Sequence, residues 1–382
     1  MAESSGDLCA VSLEWLYRAR PPQARAIVGQ PERRLVLADR FAAQLLSGPP
    51  AGTAVDVVER LLAVQGQDPR GARLAIRARS AGLHAADVDR ALTHQRALVI
   101  TWLNRGTLHL VRAEDYWWLH RLTTAQLFTG NARRLAQEGV PPADAERAVT
   151  VIERALTAEG ALTRGQLRER IAASGVRTEG QALVHVLGLA SFRGIVVRGP
   201  MIGNEHGYVL VRDWLGTPPR AVRAAGLDAD RDAALAELAR RYLAGHGPAT
   251  DRDLAKWAGL PLRDVRRGLA AIAGELDQRA GGVVGLAGSG ATEVLPPPRL
   301  LGSFDPVLHG WASREPILGP HQGIVTVNGI FRPFALVDGR AVATWTLSDG
   351  RVAVQPLVPL AAPEAAALDA DAADVKRFLG VS

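Results

Sequence analysis

The sequence predicts an α+β protein, mainly α, in which three tandem winged-helix domains precede a small C-terminal β-barrel. Two patterns lead to this. Amphipathic helical segments end three times, in divergent form, in paired β-type runs around a turn. From about residue 300 the helical period gives way to strand alternation and hairpin dipeptides. The expected division is 34–112, a helical connector 113–145, then 146–227, 228–295 and 296–382.

In the first domain "RRLVLADRFAAQLL" reads as a helix with Leu37, Phe41 and Leu45 on one stripe. "TAVDVVERLLAV" is a second, with Thr53 as N-cap and Asp56 at its positive end. "HAADVDRALTHQ" is a third, and "LVITWLNRGTLHLV" a hairpin around Asn104-Arg105-Gly106. The connector's Tyr116, Trp117 and Trp118 suit packing between domains. The second domain repeats the order, with Gly160 closing one helix, Thr163 capping the next and a Gly- and Asn-rich wing tip. In the third, Pro261 stands where a helix tolerates a missing N–H, and Arg263, Arg266 and Arg267 occupy the early turns that a recognition helix presents to DNA. Beyond "EVLPPPRLL", Val327-Asn328-Gly329-Ile330 and Val337-Asp338-Gly339-Arg340 mark turns between strands. The last helix is acidic in its middle and ill suited to phosphate.

The composition narrows the partners. A formal charge of +6 suits a polyanion, and among 45 basic residues only Lys256 and Lys376 are lysines. A GC-rich genome accounts for that bias as well as phosphate contact does. Cys9 is the only cysteine, which excludes an internal disulfide and a thiolate metal cluster. The N-terminal segment lacks the apolar core of a secretory signal, and no run of about 18 apolar residues could span a membrane. A cytoplasmic protein is expected.

Conventional catalytic signals are scarce. No histidine spacing suits a metal, and "GSGATE" lacks the ending of a phosphate loop. Neither a metal nor a cofactor is expected. What stands out is "LLAVQGQDPRG", where Gln65 continues the inward stripe of Ala54, Val58, Leu61 and Leu62 by helical spacing. A buried amide without partners costs about 1–3 kcal/mol, so it needs a reason. One alternative is that Gly66 ends the helix while Gln65 and Gln67 bond loop backbone.

The segment "RLLAVQGQDPRGA", followed by "TWLNRGTLHLV", "LLGSFDPVLHGWASR" and "GRAVATWTL", resembles the AlkZ-type winged-helix DNA glycosylases, the YcaQ-related family. The likeness runs over about 35–360. It implies a catalytic pair at Gln65 and Gln67, in the two-glutamine branch associated with excising bulky N7-alkylguanine, including interstrand crosslinks, often as antibiotic self-resistance. The residue between the glutamines is usually apolar in that family, and here it is Gly66.

Neutral amides suit such a substrate. Guanine alkylated at N7 is already cationic, so its departure needs no acid. What remains is to position water and stabilise a sugar oxocarbenium ion with oriented dipoles. Both lysines are far in sequence from the glutamines, which predicts a monofunctional enzyme that forms no Schiff base. Thr107 and His109 alternate to one side of their strand and could line the site. Arg105, His309 and Arg314 are candidate DNA contacts. The expected partner is duplex DNA bearing alkylated guanine, met by a monomer without a membrane. The alternatives are a non-catalytic winged-helix regulator, or an inactive paralogue that sequesters lesions.

Overall fold

The computed structural model describes residues 30–217, 227–279, 282–289 and 292–381; Cys9, the N-terminal segment and part of "GSGATE" lie outside them. Helix α1 (Gln30–Ala43) leads into a first unit of α2 (Ala54–Leu61), β1 (Val64–Gln65), α3 (Pro69–Arg77), α4 (Ala85–Thr93) and the hairpin β2 (Leu98–Leu103)–β3 (Thr107–Arg112). The connector is α5 (Ala113–Thr123) and α6 (Leu127–Gln137). A second unit holds α7 (Pro142–Glu159), α8 (Arg164–Ala173), α9 (Ala182–Phe192) and β4 (Val196–Ile202)–β5 (Glu205–Leu210). A third holds α10 (Leu227–His246), α11 (Asp251–Ala258), α12 (Leu262–Ala271) and β6 (Leu276–Arg279)–β7 (Val283–Leu286). Last come β8 (Arg299–Leu301), β9 (Phe334–Val337), β10 (Arg340–Ser348), β11 (Arg351–Pro356) and α13 (Ala362–Leu379). Among the described residues no helix is long and apolar enough to cross a membrane.

The two expected N-caps form. Thr53 and Asp56 make a reciprocal capping box on α2, as do Thr163 and Gln166 on α8; Thr250 and Asp253 add one on α11 that was not among the expectations, each satisfying backbone N–H groups that the first turn leaves open. Two sequence expectations need correcting. The helix over 33–46, taken as the first of its domain, is α1, and it docks on the third unit: Arg40 donates to the Pro248 carbonyl at 2.9 Å and lies over the Trp311 ring. Its place in the first unit is filled by α3, which starts just beyond Gln67, with Asp68 as cap and Pro69 in the first turn.

The C-terminal strands form an open antiparallel sheet, β11-β10-β9-β8, not the expected closed barrel. The edge that closure would require is already occupied. On β8, the Leu300 N–H donates to Asp371 of α13 at 2.7 Å, and the Leu300 carbonyl accepts from Arg77 at 2.8 Å. An edge with its hydrogen bonds taken by a helix has none left for β11.

The first two hairpins join. Ile100 on β2 pairs with Arg198 on β4, giving one five-stranded sheet in the order β1-β3-β2-β4-β5. Strand alternation then separates two cores. Leu98, Ile100, Trp102, Leu108 and Leu110 face α2–α4 and the second unit. Val99, Leu103 and Val111 face α5, the third unit and the segment from Leu301 to Phe334. As expected, the connector packs between units: Asp115 on α5 accepts from Arg112, Trp118 and Arg241 of α10, and Tyr116 is fully buried.

Helix α3 ties the first unit to the C-terminal segment. Gly71 lies so close that a Cβ there would overlap the Ser303 carbonyl oxygen. Arg77 makes two hydrogen bonds to Asp371, at 3.0 and 2.9 Å. Arg79 does the same with Asp305, at 2.9 and 2.8 Å, and also donates to Gln44 and the Ala75 carbonyl; neither Arg79 nor Asp305 has any exposed side-chain surface. Removing one partner of such a pair strands the other charge, at a cost of about 3–5 kcal/mol. Asp305→Ala should therefore lose about that much in urea unfolding, whereas Glu159→Ala, which only frees Arg170 at the surface, should leave the midpoint nearly unchanged.

Candidate active site

Helix α2 stops early. Leu62 adopts φ 63°, ψ −43°, and the Ala63 N–H donates to the Leu61 carbonyl at 2.7 Å, closing a three-residue turn of the strained positive-φ kind. The chain leaves it extended, so Gln65 belongs to a strand and not to the helical stripe. It is nonetheless buried, with 4 % exposure, because β1 pairs with β3 and sets Gln65 directly opposite His109. Gly66 does not end a helix either: its N–H donates to the Leu108 carbonyl at 2.8 Å.

Residues opposite one another, or two apart on a strand, share a face, so Gln65, His109 and Thr107 look the same way. The Gln65 carboxamide nitrogen lies 3.2 Å from His109 Nε2, and His109 Nδ1 lies 2.8 Å from the Thr107 carbonyl oxygen. The Gln65 Oε1 and Thr107 Oγ1 atoms are buried without a hydrogen-bond partner among the described residues. Gln67, half-buried, follows on the way to Asp68. Burial, and next the Arg105 guanidinium, pushes the His109 imidazole down to about 3, so it is neutral at physiological pH.

The face across from the sheet comes from the third unit and the segment after β8. His309 packs at a tilt against Phe331, with ring centres 4.1 Å apart, and lies near parallel to Phe304, whose φ of 57° is unusual for a bulky residue. Burial holds the His309 imidazole well below its ordinary value, helped by the charges of Arg105, Arg314 and Lys256 and by His109. Its Nε2 is covered and unpartnered among the described residues. Gln65, Thr107 and His109 thus share one buried face of the sheet, and the imidazole of His309 and the charges of Arg105, Arg314 and Lys256 lie within electrostatic reach of one another beside it.

Other expected contacts have structural occupations. Arg105 donates to the carbonyls of Lys256 (3.1 Å) and Trp257 (2.6 Å), where the C-terminal end of α11 favours a cation, so the first wing tip is docked on the third unit. Arg314 donates to the Leu308 carbonyl at 2.7 Å and lies over the Phe331 ring, bracing the aromatic cluster. Of the three arginines on α12, Arg263 is 86 % exposed, while Arg266 and Arg267 pair at 2.7 Å with Asp251 and Asp232. Exposed pairs of this kind are worth about 0–1 kcal/mol, so both can be exchanged for phosphate. Lys256, distant in sequence, is brought into the electrostatic neighbourhood of His309, and its ammonium donates to the Ala312 carbonyl at 2.8 Å. That proximity depends on how α11 docks, which no local pattern encodes.

The three units differ at one point. In each, the residue ending the passage from the first helix pairs with the hairpin: Val64 with Leu110, Leu162 with Tyr208, Ala249 with Val284. In the second and third the helix cap follows at once, at Thr163 and Thr250. In the first the chain runs through Gln65-Gly66-Gln67 before its cap at Asp68.

Uncharged buried polar groups held beside cationic side chains, in a chain of net positive charge, fit the class of DNA-handling hydrolases. The sequence pattern of the AlkZ-like DNA glycosylase family matches residues 58–378, and the chain belongs to that family. It is 28 % identical to an interstrand DNA cross-link repair glycosylase of Streptomyces sahachiroi over 375 residues, covering 91 % of this chain and 97 % of that one. It also superposes on the solved structure of the Streptomyces sahachiroi DNA glycosylase AlkZ with a TM-score of 0.70 and 26 % identity, with the same coverage of each chain. The protein is thus a DNA glycosylase, acting in DNA repair.

Gly66 owes its identity to packing and not to a left-handed backbone. A Cβ there would meet Ile100 Cγ2 at 3.3 Å and the Leu110 nitrogen at 3.4 Å. Gly66→Ala should cost up to about 1 kcal/mol through this crowding. Ile100→Leu, which removes Cγ2, should recover it: a double-mutant cycle by urea unfolding should give a favourable coupling of at least about 0.5 kcal/mol.

Proposed function

We propose that the protein hydrolyses the N-glycosidic bond of bulky N7-alkylguanine in duplex DNA, interstrand crosslinks included, with Gln65 and Gln67 as the catalytic pair. The observation that carries this reading is the buried Gln65 amide, held by a neutral histidine while its oxygen lacks a partner among the described residues. A lesion that is already cationic needs no acid. An oriented amide dipole can hold water and favour the oxocarbenium ion without titrating. The relative named as a cross-link repair glycosylase supports the bulky substrate, and self-resistance to a genotoxic natural product is the biological setting that such a substrate suggests.

In this reading the three units are winged helices in a monomer that works on the nucleoid in the cytoplasm. Arg263, Arg266 and Arg267 supply phosphate contacts, and Thr107 lines the pocket. The reaction is monofunctional, leaving an abasic site. Lys256 is the amine that could contradict this, since its charge reaches His309.

Duplex DNA carrying a single N7-alkylguanine, incubated with protein and then treated with alkali, should break at the lesion. Gln65→Ala and Gln67→Ala should each slow base release at least about tenfold, or about 1.4 kcal/mol of barrier, while still binding the duplex. Wild-type inactivity on both small and bulky N7 adducts would sink the enzyme reading of this substrate and leave a DNA-binding role. In parallel, borohydride should trap no protein–DNA adduct; a trapped species lost in Lys256→Ala would overturn the monofunctional mechanism.

A further inference from the structure

We infer that His109 is a positioning residue that fixes which end of the Gln65 amide meets the reaction, and that Gln65 acts through its carbonyl oxygen alone. The argument is one of donors and acceptors. The Thr107 carbonyl oxygen, 2.8 Å from His109 Nδ1, can only accept, so Nδ1 carries the proton. A neutral imidazole then has a bare lone pair at Nε2. That atom lies 3.2 Å from the Gln65 carboxamide nitrogen, which must donate to it. The reverse orientation would set the amide oxygen against the lone pair.

The relay Thr107 carbonyl–His109–Gln65 therefore turns Oε1 away from the histidine, and Oε1 is buried without a partner among the described residues. An unpaired acceptor there can take an O–H from the attacking water, aligning its lone pair on the anomeric carbon. It cannot take the water's proton as a strong base would. The C1′–N9 bond breaks with its electron pair going to the cationic base, which leaves as neutral alkylguanine; the water oxygen bonds to C1′, and the oxonium so formed, now acidic, loses its proton to solvent water. Burial and the Arg105 charge hold the imidazole neutral, which keeps Nε2 an acceptor through the physiological range.

This rests on the assignment of Gln65 to the reaction proposed above, and two measurements keep the two ideas apart. The first is nitrogen NMR of protein labelled at histidine, with His109 identified by the signals missing in His109→Gln. Nδ1 should be protonated and Nε2 bare from about pH 5 to pH 8, the range in which an ordinary imidazole would titrate. An Nε2-protonated ring or an imidazolium would overturn the inference, whatever the enzyme does. The second is single-turnover base release from the N7-alkylguanine duplex. His109→Phe should lose at least about tenfold in rate with duplex affinity held within about twofold. His109→Gln, whose Oε1 can stand where Nε2 stood, should recover most of that loss. A wild-type rate in His109→Phe, or no recovery in a folded His109→Gln, would refute the positioning role. Should the wild-type protein release no base, the proposed function falls, and the tautomer alone still decides the orientation of Gln65.

Discussion

Helix α3 begins just after the candidate catalytic residues and ends at the buried Arg77, with the buried Arg79 two residues beyond, and most of the architecture depends on the ion pairs of these two arginines. Arg79 reaches Asp305 with neither side chain exposed, and Arg77 reaches Asp371 on the last helix. Each guanidinium presents a planar fork that a carboxylate meets at two points, so the pairs fix orientation as well as distance. Buried pairs like these offer little net stability over apolar packing. What they provide is registration. The segment holding Phe304 and His309 follows Gly302, and Gly302 and Gly71 cross at backbone contact. The sheet face that carries Gln65 and the segment that carries His309 are thus aligned through the helix that starts at the candidate site.

Within that frame the polar centre is kept uncharged by its surroundings. Burial disfavours imidazolium at His109 and His309, and the nearby Arg105, Arg314 and Lys256 disfavour it further. A carboxylate at position 65 would face the bare Nε2 lone pair of His109, and the pair would then have to capture a proton. An amide avoids this, since it donates at one end and accepts at the other. The choice of glutamine follows from the partner across the strand as well as from the substrate.

Much of this was legible in the sequence. Thr53, Thr163 and the hairpin around Asn104-Arg105-Gly106 announced their elements, because caps and tight turns depend on local chemistry. The inward direction of Gln65 was also legible, though through the wrong period: Leu62 breaks the helix, and a strand pair buries the residue instead. Helix α3 was hidden by Gly71 and its arginines, even though Asp68-Pro69 is a sound start signal. The occupations of Arg105 and the acidic residues of α13 could not be read locally. Their partners lie 151 and 294 residues away, and the same charges would have suited solvent or phosphate equally well.

The three residues Gln65-Gly66-Gln67 lengthen a passage that the other two units make without them, and both flanks return to the common register, at Val64 on one side and the Asp68 cap on the other. If the proposed pair is catalytic, its chemistry is an extension of chain length at a joint, not a feature of the fold. The scaffold that would grip the duplex and the residues that would cut the bond are therefore separable in design: the joint can be refitted with different side chains, or shortened to match its siblings, while the helices and hairpin on either side keep their places.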